Sequence, residues 1–261
     1  MRISLTSIPP RFGSLRSTID SLLNQSVQPT QIELYIPKTF GRFGPCPALP
    51  KLPSSSILDL HVVEEDLGPL TKIGYSLQRC CGDEDIVCCD DDQRYPSDWL
   101  ERFTVAREQR PEDPLCLSGC FIGTAVSNGP GRARFKGARY QLKKLVTLGL
   151  SKPAAPWTRS GYVDIAEGWA GICVKPSWFG PDFMEIPEEV RYVDDIWISA
   201  YLASRGKSPW LIAPGMSWGL GINADGDGAL NTTRFDGLDR DGLNARAVAY
   251  LSDRLGVWSK C

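Results

Sequence analysis

The chain has 261 residues, 42% of them apolar, with a formal charge of −2 and a single histidine. That length can bury a substantial core, and the near-neutral balance shows neither the basic footprint of a nucleic-acid binder nor an acidic tail. No window approaches the roughly 20 apolar residues of a membrane span and no long apolar segment follows the N-terminus, so a cytoplasmic chain without a transmembrane segment is expected.

Residues 2–8 alternate and break at Pro9 and Pro10, which predicts a strand and a turn. Ser14 is placed to cap a helix carrying Leu15, Ile19, Leu22 and Leu23, and residues 31–36 return as a strand before Pro37. Residues 37–56, rich in Pro, Gly and Ser, read as a surface excursion. A strand over 57–63 follows, with His61 in a structural place, and then a helix from near Pro69 that turns Leu70, Ile73 and Leu77 inward. The apolar run 85–89 reads as a buried strand, 97–108 as an amphipathic helix through Trp99, Leu100 and Phe103, and 115–122 as a further strand. This alternation marks an α/β fold: a mostly parallel central sheet, covered by helices on both faces through right-handed crossovers.

From 127 to 144 the texture changes. Arg132, Arg134, Lys136, Arg139, Lys143 and Lys144 either grip phosphates or an anionic acceptor, or form a solvated basic face. Strands over 171–175 and 209–213 follow, with a helix between them that Asp194 or Asp195 opens and Gly206 stops. A last helix over 241–255 carries Leu243, Ala247, Leu251 and Leu255 on one stripe. No repeat or linker splits the chain, so one domain over 1–261 is expected. The nine cysteines lack zinc-site spacing, and Cys88 and Cys89 would point to opposite faces of one strand, so free buried thiols are expected.

The chemistry concentrates where the run 85–89 stops at Asp90, Asp91 and Asp92. Acids at the carboxyl end of a strand face the crevice where open α/β sheets bind ligands. Three adjacent carboxylates repel one another, so a divalent cation or a ring of donors must neutralise them. Asp90 and Asp92 together could hold a hard cation and leave positions for phosphates. A solvated turn is the plainer reading of the same residues. Glu65, Asp66, Leu67, Gly68 and Pro69 lead to Lys72, a helix start whose amides and ammonium suit a phosphate. In the segment Glu167, Gly168, Trp169, the indole is either a sugar platform or a core anchor. Asp194 and Asp195 either complement a helix dipole or supply a general base. The glycine-rich stretch 223–230 partly matches a calcium loop but has Arg234 where the closing acid belongs, so it reads better as a flap over a substrate.

Taken in order, these pieces resemble the GT-A glycosyltransferases, most closely bacterial family 2-like members. The matching residues are Ser4 to Arg11, Asp66 to Lys72, Asp90 to Asp92 followed by Tyr95 to Trp99, Glu167 to Gly171, and Asp194 with Asp195. The resemblance implies a GT-A-type, Rossmann-like single domain, with 1–125 as the nucleotide-sugar half and 126–261 as the acceptor half. It implies a nucleotide-diphosphate sugar donor, a UDP-sugar foremost, met by Thr6, Ser7, Pro9, Arg11, Asp66, Lys72, Asp90 and Asp91. It places Mn2+ or Mg2+ on Asp90 and Asp92, and a saccharide or glycolipid acceptor by Glu167, Gly168 and Trp169. Asp195, with Asp194 as the alternative, would be the base of an inverting transfer in envelope or capsule polysaccharide synthesis, in the cytoplasm or peripheral to the inner membrane. Two departures stand out. No histidine follows His61 to complete a metal site, a role Asp225 or Asn231 would have to fill, and the Gln-x-x-Arg-Trp motif of processive synthases is missing. A sugar-phosphate nucleotidyltransferase is an alternative, although Ser7 to Arg11 lacks the glycine its phosphate loop needs. A catalytically silent nucleotide-sugar-binding module is another.

Overall fold

The β-branched and apolar runs of the first ninety residues form four strands: β1 (Arg2–Thr6), β2 (Gln31–Pro37), β3 (Leu58–Val63) and β4 (Ile86–Cys88). In the computed structural model, which describes residues 1–80, 82–122, 131–135, 157–216, 234–235 and 237–258, these four run parallel in the order β3-β2-β1-β4. β1 lies inside the sheet with Ile3 and Leu5 fully buried, because both of its faces are covered. Helix α1 (Leu15–Leu23) packs Leu15, Ile19 and Leu22 on one face, while α2 (Thr71–Arg79) turns Ile73 to the other.

Four shorter strands extend the sheet: β5 (Leu115–Cys116), β6 (Gly161–Tyr162), β7 (Ile172–Val174) and β8 (Trp210–Leu211). The full order is β6-β8-β5-β7-β4-β1-β2-β3. β7 runs antiparallel to both β4 and β5, β8 is parallel to β5, and β6 closes the edge antiparallel to β8. Helix α3 (Trp99–Gln109) covers the α1 face; α4 (Asp194–Ser204) and α5 (Arg240–Leu255) cover the α2 face. The architecture is therefore α/β with a mostly parallel central sheet and helices on both faces. Cys88 and Cys89 enter opposite cores, as their places on one strand require. The seven described cysteines are free, although Cys46 and Cys120 are only partly buried.

Local departures from the sequence reading have physical causes. The stretch 115–122 is not one strand: after β5 the chain swings out, and Gly119 and Cys120 pair with Ile165 and Ala166. A side chain at Gly119 would lie 2.6 Å from the Ile165 carbonyl oxygen, so only glycine permits this approach. The surface excursion contains a short hairpin, Thr39–Phe40 against Gly44–Pro45. Ser14 precedes α1 but makes no side-chain cap, its hydroxyl donating to the Arg11 carbonyl instead. α5 begins one residue earlier than read, with Asp239 as its cap accepting from the Gly242 amide at 2.9 Å, and Gly256 closes the helix at φ 64°.

Beneath α2 lies a polar cluster with no counterpart in the hydropathy pattern. Glu33 on β2 is 1% exposed and accepts from Arg2 (2.8 Å), Tyr35 (2.9 Å) and Ser76 (2.9 Å). His61 stacks on Tyr35 beside it, and burial followed by the nearby Arg79 lowers its proton affinity, which agrees with a structural place. No helix among the described residues is long and apolar enough to cross a membrane.

Candidate active site

Because β1 and β4 are parallel neighbours, the chain leaves both at the same rim, where Ser7 meets the acid triplet. The middle acid secures the junction. Asp91 is 5% exposed and accepts from Ser7 Oγ at 2.5 Å and Arg11 Nη1 at 2.7 Å, while Thr18 Oγ1 donates to its carbonyl at 2.7 Å. Arg11 Nη2 reaches Asp92 Oδ2 at 3.0 Å, and Gln93 donates to Asp92 Oδ1 at 3.1 Å. The donor ring is thus real, but it satisfies Asp91 and leaves Asp90 turned toward Lys72.

Against Asp90 stands Lys72, the second residue of α2, with its carbonyl held by the Ser4 hydroxyl. Lys72 is 3% exposed, and its Nζ lies 2.6 Å from Asp90 Oδ1 and 2.7 Å from Asp194 Oδ2. The Asp194 contact lacks the direction of a hydrogen bond, so that oxygen rests on charge alone. Asp195, next on α4, accepts from the Gly168 amide at 2.9 Å. Gly168 sits where a side chain would lie 2.8 Å from Asp195 Oδ1, 3.0 Å from Lys72 Nζ and 3.7 Å from Asp90 Oδ1. Four segments distant in sequence therefore meet at one glycine.

Burial dominates the electrostatics. It penalises the Lys72 ammonium, yet Asp194 and Asp90 outweigh it and hold the proton affinity well above the ordinary lysine value. Burial would likewise lift Asp90, but the ion pair with Lys72 prevails and keeps it below the usual carboxylate range. At Asp92 the paired Arg11 guanidinium does not prevail: burial, then the charge of Asp90, pushes it up to about 6. Asp195 is driven well above the ordinary value by burial and by Asp194, with Lys72 opposing. A carboxylate with raised proton affinity is suited to accept a proton.

The fit to a divalent cation follows from the donor set. Among the described residues no group of three His, Cys, Asp or Glu side chains is arranged to hold a metal ion. Asp90 and Asp92 are nonetheless close enough to perturb one another, and Asp90 Oδ2 has no hydrogen-bond partner among the described residues. Lys72 already pairs with Asp90 and Asp194, and Arg11 with Asp91 and Asp92. The side chains that could hold a divalent cation are therefore Asp90 and Asp92, two carboxylates that would leave its other positions to further ligands.

The other expected residues have more local employment. Thr6 donates to the Tyr35 carbonyl at 2.8 Å, and Pro9 begins the turn Pro9–Arg11 that presents Arg11. Asp66 accepts from the amides of Gly41 and Gly68, both at 2.8 Å, and so ties the hairpin to the start of α2. Glu167 accepts from the Ser118 hydroxyl and from Trp169 Nε1. Trp169 is half-buried, between the platform and anchor readings. Arg132 pairs with Asp164, Arg134 and Arg234 are exposed, and Lys136, Arg139, Lys143, Lys144, the loop 223–230 and Asn231 lie outside the described residues.

Sequence reasoning did not single out Thr18 or Ser118, whose hydroxyls carry no periodic signal, and met Ser4 only as the first residue of a motif. It also missed Arg240, which donates to the Tyr192 carbonyl at 2.7 Å just before Asp194. Tyr95 was legible only as part of a motif; its hydroxyl bonds the backbone of Asp90 and lies 3.1 Å from the Trp169 carbonyl, joining the acid turn to the glycine turn.

No protein-family model matches this chain, and no curated protein matches it. Solved structures do: a crystal structure of residues 1–349 of S. aureus TarS aligns over 84% of this chain at 11% identity and a TM-score of 0.44. The chain spans 58% of that structure.

Proposed function

We propose that this chain is an inverting, metal-dependent glycosyltransferase that moves a sugar from a nucleotide-diphosphate donor, a UDP-sugar foremost, to a hydroxyl of a saccharide or glycolipid acceptor. The supporting observation is the meeting of Lys72, Asp90 and Asp195 around the Gly168 amide at the carboxyl rim of the sheet. Asp90 and Asp92 would hold Mn2+ or Mg2+, which when bound supplies positive charge to the departing diphosphate.

The chain's own residues do the rest. Lys72 fixes Asp90 and Asp194. Arg11 holds Asp91 and Asp92 in place. Asp195, oriented by the Gly168 amide, takes the proton from the acceptor hydroxyl as its oxygen bonds to the anomeric carbon. The bond from that carbon to the phosphate oxygen breaks on the opposite side, and the electron pair leaves with the nucleoside diphosphate, so configuration inverts. Single additions to envelope or capsule polysaccharide fit the missing processive motif.

The test is donor hydrolysis and transfer with and without Mn2+, using wild type, Asp92→Ala and Asp195→Asn. Expected are manganese-stimulated turnover, loss of that stimulation in Asp92→Ala and loss of turnover in Asp195→Asn. Turnover indifferent to manganese and to Asp92→Ala would overturn the metal assignment. Donor binding with neither hydrolysis nor transfer would identify a silent binding module instead.

A further inference from the structure

The acid turn and the glycine turn touch through one hydroxyl. Tyr95 is 3% exposed; its phenol oxygen accepts from the Asp90 amide at 3.0 Å, and its single proton faces the Asp90 and Trp169 carbonyls, each at 3.1 Å. Burial pushes the proton affinity of the phenol well above the ordinary tyrosine value, with Cys89 and Asp90 adding to it, so the group remains a donor.

That hydroxyl is a fixed post. The Tyr95 amide donates to Ser21 Oγ at 3.1 Å and Arg94 Nη2 to Ser17 Oγ at 2.8 Å, which ties the segment to α1. The Tyr95 ring lies 4.5 Å from that of Trp99, which in turn meets Phe103 edge-on at 5.4 Å. The glycine turn is seated on this aromatic base. Trp99 Nε1 donates to the Ala170 carbonyl at 2.8 Å, next in sequence to the carbonyl that faces Tyr95. Gly171 closes the turn at φ 102°, where a side chain would lie 2.7 Å from the Trp99 ring. Anchored through two consecutive carbonyls, the turn offers its Gly168 amide to Asp195 at 2.9 Å.

Two kinds of contact therefore govern Asp90. Lys72 holds its carboxylate, a charge contact that an arriving cation could exchange. Tyr95 holds its main chain, and that bond does not depend on what the carboxylate binds. Without the hydroxyl, the Asp90 amide would lose this acceptor and the glycine turn one of its two side-chain anchors, while the ring could stay where it is. Both losses fall on groups that the proposed chemistry uses: the acid that faces Lys72 and the amide that orients Asp195.

We propose that Tyr95 is a positioning residue: its hydroxyl holds the Asp90 main chain and the glycine turn at one fixed separation and, through the Gly168 amide, sets Asp195. The inference rests on the glycosyltransferase reading for what the two acids do, and its test separates the two. Tyr95→Phe keeps the ring and removes the oxygen. Tyr201→Phe is the control, since it removes a hydroxyl that accepts from the Gly180 amide at 2.9 Å and donates to Asp182 at 2.6 Å, away from the acids. Amide hydrogen exchange is read in 15N-glycine-labelled protein at Gly168 and Gly180, beside transfer kinetics with Mn2+. In Tyr95→Phe, exchange at Gly168 rises about tenfold or more while Gly180 stays within about twofold of wild type; Tyr201→Phe gives the reverse. Transfer kcat falls about tenfold in Tyr95→Phe at an unchanged donor KM, the pattern of an interaction lost from the chemical step and not from binding, and holds in Tyr201→Phe. Gly168 exchange unaltered in Tyr95→Phe, equal acceleration at Gly168 and Gly180, or an unchanged kcat overturns the proposal. Acceleration confined to Gly168, in a protein whose wild type never turns over a donor, strikes down the glycosyltransferase reading and leaves the linkage standing.

Discussion

Gly168→Ala is the most direct probe of the convergence. The alanine is compatible with the backbone, since Gly168 is not among the positive-φ glycines. Its methyl, however, would lie 2.8 Å from Asp195 Oδ1 and 3.0 Å from Lys72 Nζ. Neither group can swing aside freely, because Lys72 is held by two carboxylates and Asp195 by the Gly168 amide itself. The carboxylate must retreat, weakening a hydrogen bond to a charged group worth about 1.5–3 kcal/mol. At 1.4 kcal/mol per factor of ten, catalysis should fall roughly 10- to 100-fold. Overpacking costs about 1–3 kcal/mol, less than the stability of an ordinary domain, so the variant stays folded. Donor hydrolysis read beside a urea melt tests this, with Gly13→Ala, whose methyl meets nothing within 4 Å, as the control. A Gly168→Ala enzyme within twofold of wild type would refute the claim that Asp195 works from this position.

Other perturbations probe the charges and the scaffold. Lys72→Met leaves the buried Asp194 and the partly exposed Asp90 without their cation and should cost about 3 kcal/mol in a urea melt at pH 7, with partial recovery in acid. Asp92, pushed up to about 6 by burial and then Asp90, binds its proton more tightly folded than unfolded, where a carboxyl titrates near pH 4. This group therefore costs stability as pH rises from about 4 to 6; Asp92→Asn should melt above wild type past pH 6 and match it at pH 4, and equal melting at pH 7 would contradict the assignment. Asp239→Ala removes the cap of α5 and should cost about 1 kcal/mol, measurable as a lower melting temperature without loss of donor hydrolysis.

Periodicity carried much of the fold. The helix ending at Leu255 was legible from its apolar stripe. The one ending at Ser204 was legible from the acid pair and Gly206 that bracket it, although Val193, and neither acid, holds the cap position. β1 to β4 were legible because their apolar runs are bounded by proline, glycine or acid. β5 and β8 shrank to two residues each, since a run such as 115–122 does not reveal that Gly119 must leave the sheet to approach Ile165. The acid triplet was visible as chemistry, but not the division of labour within it. Only the fold shows that Asp91 is spent on Ser7 and Arg11 while Asp90 faces Lys72. Glu33 was illegible for a related reason: a charge in an alternating strand looks solvated until three other segments are folded around it.

One reversed strand has an architectural consequence. In a wholly parallel sheet, the loops at one rim all follow their strands, so every functional side chain arrives at the end of a crossover. β7 points the other way, and the turn at Gly168 reaches the rim ahead of its strand, beside the acids that trail β4. The two are separated by a single interstrand step of about 4.8 Å, whatever the length of chain between them. The acid turn and the glycine turn are thereby bolted to adjacent rungs of one ladder, and a tilt of the sheet would carry both together without opening a gap between them.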